Sequence, residues 1–227
     1  MTEIVKKLQI IQKCIAQYEQ TYRRHPNSVN LLAVTKGQPL EKILQAYDAG
    51  QTRFGENYIQ EALAKITALK DKPIEWHFIG AIQSNKTKQI AEHFAWVQSV
   101  ANIKIAKRLN DQRPPHLPLL NICIEVNISN EESKSGVAVD ALQPLLNYCL
   151  TLPRLKVRGL MTIPLATENF SEQRKAFHQL FSVWQALLRQ GIFLDTLSMG
   201  MSGDFEAAIA EGSTMVRIGT AIFGPRS

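Results

Sequence analysis

Two stretches of this chain hold residue types that could do chemistry in concert. In "LLAVTKGQ", Leu31 to Gln38, an apolar run ends in Lys36 and a glycine follows at once. Apolar neighbours strip water from a lysine, lower its pKa and free the amine as a nucleophile toward carbonyl compounds. In "SMGMSGDFEAAIAEGSTMVRIGTAIFG", Ser198 to Gly224, glycines, hydroxyls and one arginine gather. Gly200 and Gly203 let the backbone approach an anion closely, and Ser202 offers a hydroxyl. A short helix starting near Asp204 would add exposed N–H groups and a positive dipole end. Gly219 and Thr220 would supply two more amides and another hydroxyl. Arg217 stands two residues before Gly219, hence on the same face of a strand, and its guanidinium can only donate. Each feature alone reads as ordinary structure: a surface lysine, a glycine-rich turn, an arginine paired with a carboxylate. Their convergence points to a phosphorylated carbonyl compound as ligand.

The elements that must position these residues follow a regular rhythm. Eight apolar runs read as strands: "NLLAVTK", "TRFGEN", "WHFIG", "WVQSV", "LNICIEVN", "KVRGLMTI", "FLDTLSM" and "MVRIGTAIF". Amphipathic stretches at 40–49, 59–69, 86–93, 103–109, 138–150, 170–189 and 205–211 separate them. Residues 2–24 place Ile4, Val5, Leu8, Ile11, Ile15 and Tyr18 at helical spacing, which predicts an extra N-terminal helix stopped by Pro26. Strands alternating with helices form parallel units, and eight right-handed units close into a (β/α)8 TIM barrel. An open doubly wound sheet competes, but no GxGxxG follows an early strand. No Pro/Ser/Gly-rich linker interrupts the chain, so residues 1–227 are expected to form one barrel domain. Barrel chemistry sits at the C-terminal strand ends, with phosphate held by the loops after strands 7 and 8. That rule brings Lys36 and the glycine-rich segment to one mouth.

Other strand ends are polar: Glu56 and Asn57 in "FGENY", His77 in "EWHFIG", Asn127 after "CIEV", Met161 and Thr162 in "GLMTI". His77 reads first as a satisfied core histidine and second as a ligand contact. Ser84 or Asn85 in "IQSNKTKQI" is expected to cap a helix. Lys134 in "NEESKSG" lies on a polar loop that the barrel would bring to its mouth. The totals narrow the function classes. The net charge is +6, but the basic residues are scattered, without a basic tail or an RNA-binding aromatic motif. That favours a mild preference for anions over nucleic-acid binding. No apolar run reaches the roughly 18 residues of a membrane span, and "MTEIVKKLQI" lacks a signal-peptide core, so no membrane partner and a cytoplasmic location are expected. Cys14, Cys123 and Cys149 stand far apart, which suits a reducing compartment, and the scattered histidines support no metal site.

"LLAVTK", "FGENYIQEALAK", "WHFIGAIQSNK", "EVNISNEESKSG", "VRGLMTI" and the glycine-rich C-terminal segment together resemble the pyridoxal phosphate homeostasis protein family. Those proteins are related to the barrel domain of alanine racemase, pyridoxal-phosphate fold type III, and the resemblance runs from Leu31 to Gly224. It implies that Lys36 forms the internal aldimine, a Schiff base, with pyridoxal 5'-phosphate (PLP). It also implies that Ser202, Gly219 and Thr220 hold the phosphate and that Arg217 faces the pyridine nitrogen. Asn57, His77 and Met161 would line the pocket. The implied function is vitamin B6 homeostasis: the cofactor is held, buffered or delivered, with PLP-dependent apo-enzymes as recipients. The tail stops at "GPRS", shorter than the basic C-terminus of some members.

A PLP-dependent amino-acid racemase is the alternative. A two-base racemase needs a second proton-transfer group on the face opposite the lysine. In alanine racemases a separate β-domain and a partner subunit help supply it, whereas this sequence ends just after the eighth strand. The expectation is therefore a monomeric carrier without turnover. A lysine-dependent aldolase on a barrel is a third reading; it would use Lys36 without a cofactor and be colourless.

Overall fold

A computed structural model describes residues 2–129 and 135–225. The barrel strands are β1 (Asn30–Val34), β2 (Arg53–Glu56), β3 (Glu75–Phe78), β4 (Trp96–Val100) and β5 (Leu120–Asn127). After β6 (Val137–Ala138), a two-residue addition beside β5, come β7 (Leu155–Met161), β8 (Thr196–Ser198) and β9 (Met215–Ile218). All pair in parallel, in the order β4-β3-β2-β1-β9-β8-β7-β5, and pairing of β4 with β5 closes the ring. Closure excludes the open sheet. Helices α2 (Leu40–Asp48), α3 (Ile59–Ala68), α4 (Thr87–His93), α5 (Ile103–Gln112), α6 (Leu142–Leu150), α7 (Phe170–Arg189), α8 (Phe205–Ala210) and α9 (Thr220–Phe223) alternate with the strands. The extra helix, α1 (Glu3–Thr21), buries Ile4, Leu8, Ile11 and Ile15 and packs on α2, α8 and α9. Its buried Glu19 accepts the amides of Asn27 and Val29, which steers the chain from α1 into β1.

Alternation along the strands builds two layers. In β1, Leu31 and Ala33 pack into the large cluster shared with the helices, whereas Leu32 and Val34 join Ile79 and Met215 in a separate cluster. A period of two sends odd and even residues to opposite faces. Lys36 shares the parity of Leu32 and Val34, and Arg217 shares that of Met215, so both belong to the barrel interior. This is why an apolar strand delivers an ammonium group at its end.

Three local expectations are corrected. The last strand, read through Phe223, stops at Ile218, and Thr220–Phe223 is helical. The β-branched run favours a strand locally, but the Gly219 carbonyl accepts the amides of Ile222 and Phe223 and turns the chain. "FLDTLSM" contributes only Thr196–Ser198 to the sheet, and Phe193 stays exposed. Ser84 and Asn85 do not cap a helix through their side chains; they lie in a 3₁₀ turn, and Thr87 Oγ1 donates to the Ser84 carbonyl.

Close approach of β7 to β8 depends on Gly159. A Cβ there would lie 1.6 Å from the Thr196 carbonyl oxygen. Gly159→Ala must therefore part the two strands, and a loss of about 3 kcal/mol or more is expected. Urea unfolding checks it; an unchanged midpoint would refute the tight pairing.

Candidate functional site

A cavity of about 270 Å³ opens at the C-terminal mouth of the barrel. Lys36, from the turn after β1, lines it together with Asn57, Ser202, Gly203, Arg217, Gly219 and Thr220, and Val34, Ile79, Ile163 and Met201 form its apolar wall. Six of the eight residues assigned to the cofactor from sequence thus meet around one space. Lys134 lies outside the described residues.

The glycine-rich segment forms the anion-facing side. Gly200, at φ +97°, turns the chain so tightly over α8 that a Cβ would lie 2.6 Å from Ala208 Cβ. The Arg217 amide donates to the Gly200 carbonyl, tying this turn to β9, and Ser202 Oγ accepts the Ala221 amide across to α9. Two loops and the start of α9 therefore face the same space. Asn57 adds an acceptor: its Oδ1 is buried and has no hydrogen-bond partner among the described residues.

Arg217 is buried and held from both sides of its guanidinium. One Nη donates to the carbonyl and the hydroxyl of Ser198, each at 2.8 Å, and the other to the Thr162 carbonyl at 2.9 Å. Burial lowers its pKa to about 10, against the opposing pull of Asp204 and Glu125. Burial in turn pushes the Asp204 and Glu125 carboxyls up, and Arg217 draws both back down. Even at about 10 the group remains a cation at neutral pH.

His77 and Met161 lie one layer below the cavity and are not among its lining residues. Met161 is fully buried against Trp96 and Cys123, and His77 stacks on Trp96 at 5.1 Å. In both strands the residue two positions on, Ile79 or Ile163, reaches the cavity instead. His77 belongs to a polar chain whose direction is set by chemistry. Arg217 can only donate, so Ser198 Oγ accepts from it and gives its own proton to Gln98 Oε1 at 2.6 Å. The Gln98 amide nitrogen then donates to His77 Nδ1 at 2.9 Å, and His77 Nε2–H donates to Glu75 Oε1 at 3.0 Å. Ser198 and Gln98 escaped the sequence reading because neither sits at the mouth.

Burial lowers the His77 pKa, while the His77 hydrogen bond holds Glu75 at about 2. Both groups have folded values below their unfolded ones. His77 costs stability as pH falls below about 6.5, where the unfolded imidazole gains a proton. The Glu75 contribution is complete above about 4.5 and fades toward about 2. These two groups pull Tm down on acidification from pH 7, against the raised Glu56, Glu125 and Asp204 carboxyls, and His77→Gln is expected to flatten the part between about 6.5 and 5. A calorimetric series with parallel slopes for parent and variant would contradict this.

Residues 11–227 match the family model described as the alanine racemase N-terminal domain. The pyridoxal phosphate homeostasis protein of Vibrio alginolyticus is 51% identical over 230 residues, covering 100% of this chain and 99% of that protein. The chain belongs to the pyridoxal phosphate homeostasis protein family. The member from Pseudomonas aeruginosa is also 51% identical, with 100% of this chain and 97% of that protein covered. Among solved structures, PipY of Synechococcus elongatus, determined with PLP bound, superposes with a TM-score of 0.80 at 37% identity. It covers 92% of this chain and 100% of that one. The Vibrio and Pseudomonas relatives carry names of homeostasis proteins rather than of enzymes, and the matching family model is that of the racemase barrel domain.

The residues present suit a phosphorylated pyridine aldehyde. The cavity offers one primary amine, a buried cation that can only donate, a buried unpartnered acceptor at Asn57, and hydroxyls and glycines on the anion-facing side. No group of three or more His, Cys, Asp or Glu residues able to hold a metal occurs among the described residues. No helix there is long and apolar enough to cross a membrane.

Proposed function

We propose that this protein binds pyridoxal 5'-phosphate at the mouth of its barrel and serves vitamin B6 homeostasis by holding the cofactor and releasing it. The observation that carries the reading is the meeting of Lys36, Arg217 and the Ser202–Gly203 and Gly219–Thr220 turns around one cavity. The cofactor supplies an aldehyde, whose condensation with a primary amine forms a carbon–nitrogen double bond and releases one water. Lys36 provides that amine. Ser202, Gly219 and Thr220 orient the phosphate, and Arg217 donates toward the ring nitrogen without giving up its proton. Asn57 accepts from a donor on the ring. His77 and Met161 act from beneath, His77 by fixing the chain that ends on Arg217. PLP-dependent apo-enzymes are the recipients this role requires, and the protein works in the cytoplasm as a monomer.

Titration with the cofactor, followed by borohydride and peptide mapping, tests the reading. The expected result is a yellow protein with one reduced, ligand-bearing lysine at position 36. Pyridoxal, lacking the phosphate, is expected to bind about 100-fold or more weakly, as loss of several charge-assisted hydrogen bonds implies. A colourless protein, or a label on another lysine, would overturn the proposal. Racemisation is the second reading, favoured by the shared barrel. Turnover of an amino acid at ordinary enzymatic rates, on the order of 1 per second or faster, would replace the carrier role with it.

A further inference from the structure

The chain on either side of Lys36 is gripped by a buried charged cluster that the proposed role does not otherwise use. Lys65, on the inner face of α3, is 7% exposed, and its ammonium donates to three acceptors. These are the Thr35 carbonyl at 2.7 Å, Glu56 Oε1 at 2.7 Å and Glu61 Oε1. Glu56, fully buried at the end of β2, also accepts the Thr35 hydroxyl. Glu61 also accepts the Gly37 amide at 2.7 Å. The residue before Lys36 and the residue after it are therefore tied to the same ammonium group, one directly and one through a single carboxylate. Gly37 has φ +66°, the left-handed region, so the chain bends at the very point where the carboxylate holds it.

A buried ion cluster is a poor source of net stability, because desolvation offsets much of the Coulomb attraction. Its distinctive effect is directional. Three donors of one ammonium point at three fixed acceptors, and two of those acceptors locate the peptide units flanking Lys36. Burial pushes the Glu56 carboxyl up, opposed by its bonds from Lys65 and Thr35, and its Oε2 has no partner among the described residues. That arrangement keeps an internal cost in order to hold geometry.

We propose that Lys65, Glu56 and Glu61 are positioning residues for Lys36, fixing the backbone at Thr35 and Gly37 so that its amine meets the aldehyde in a productive orientation. The inference rests on Lys36 being the condensing amine. It goes further in separating two properties of the site: recognition of ring and phosphate belongs to Arg217 and the glycine-rich turns, and readiness to condense belongs to this cluster.

Two ligands separate these properties. Pyridoxal 5'-phosphate has the aldehyde; pyridoxine 5'-phosphate has the same ring and phosphate with an alcohol in its place and cannot condense. In a Lys65→Met/Glu56→Gln variant, which removes the cation and a buried charge together, affinity for the alcohol is expected to stay within about 3-fold. Affinity for the aldehyde and the rate of borohydride-fixed labelling at Lys36 are expected to fall about 10-fold or more, the scale of a sub-ångström misplacement. Glu61→Ala, at a partly exposed position, removes the Gly37 acceptor, and the same split is expected at about 3-fold or more; it decides alone where the double variant does not fold. Equal weakening of both ligands would show a general structural role and overturn the inference, as would no change in either. Failure of the parent protein to label at Lys36 would instead overturn the carrier reading itself.

Discussion

Lys36→Ala is expected to abolish the yellow colour on mixing with pyridoxal 5'-phosphate and to eliminate borohydride-fixed labelling, while the fold survives. The side chain rises from the turn after β1 at the edge of the cavity, so its truncation removes little packing from the barrel interior. Thermal stability of the unliganded variant should stay within about 1 kcal/mol of the parent. The phosphate-binding turns and Arg217 remain, so binding is weakened rather than lost. A deficit of about 100-fold or more for the aldehyde ligand corresponds to roughly 2.7 kcal/mol or more. For pyridoxine 5'-phosphate the change should be small, because that ligand never condenses. Lys36→Arg serves as a companion: it keeps the charge but has no amine able to condense, so labelling should be absent there too. Retained labelling in either variant would place the reactive amine elsewhere, and Lys65, the nearest buried alternative in sequence, would be the first position to map.

How much of this was legible before the structure depends on which physical signal each residue carried. Lys36 and Arg217 were legible because strand parity is a local property: each lies an even number of residues from an inward-facing apolar neighbour, Val34 or Met215. The glycine-rich turns were legible because two of them fall after strands 7 and 8, where a barrel holds phosphate. His77 and Met161 have inward parity as well, and parity alone could not say at what depth along the barrel axis they sit. The staggered register settles depth: His77 pairs with Gly55 and Trp96, a level below Asn57, and leaves Ile79 to reach the cavity. Such stagger is a property of the closed ring, and no single strand records it.

The charged residues beneath the site were illegible for a different reason. Glu61 and Lys65 are spaced as a solvated helix face would space them, and i,i+4 Glu–Lys pairs are ordinary on helix surfaces, while Glu56 read only as a polar strand end. Only the closed barrel shows that this face looks inward at Thr35. The over-long last strand failed likewise. "GTAIF" has the composition of a strand, but the Gly219 carbonyl accepts the Ile222 and Phe223 amides and turns it into α9, with Ser202 of the loop after β8 accepting the Ala221 amide.

Arg217→Met tests how the site is held together from within. The substitution approximately preserves volume but removes the cation whose charge acts on the buried Glu125 and half-buried Asp204 carboxyls, along with the donors to Ser198 and Thr162. Leaving the buried Ser198 and Thr162 acceptors without their charged donor costs about 3 kcal/mol, and at roughly 3 °C per kcal/mol for a chain of this size Tm should drop by about 10 °C. The loss should depend on pH in a defined sense. Burial already raises both carboxyls, and without Arg217 they rise further above their unfolded values. A raised acid binds a proton in the folded state before the unfolded state does, so folding is favoured as pH falls through that window and disfavoured as pH rises. The deficit of the variant against the parent at the same pH should therefore be largest near pH 8 and shrink toward pH 5, even though the parent itself loses stability on acidification through His77 and Glu75. Affinity for pyridoxal 5'-phosphate should fall about 10-fold or more as one charge-assisted donor disappears. A deficit that stays constant across this pH range would show that Glu125 and Asp204 do not depend on Arg217. A full-affinity variant would show that the guanidinium does not face the ring.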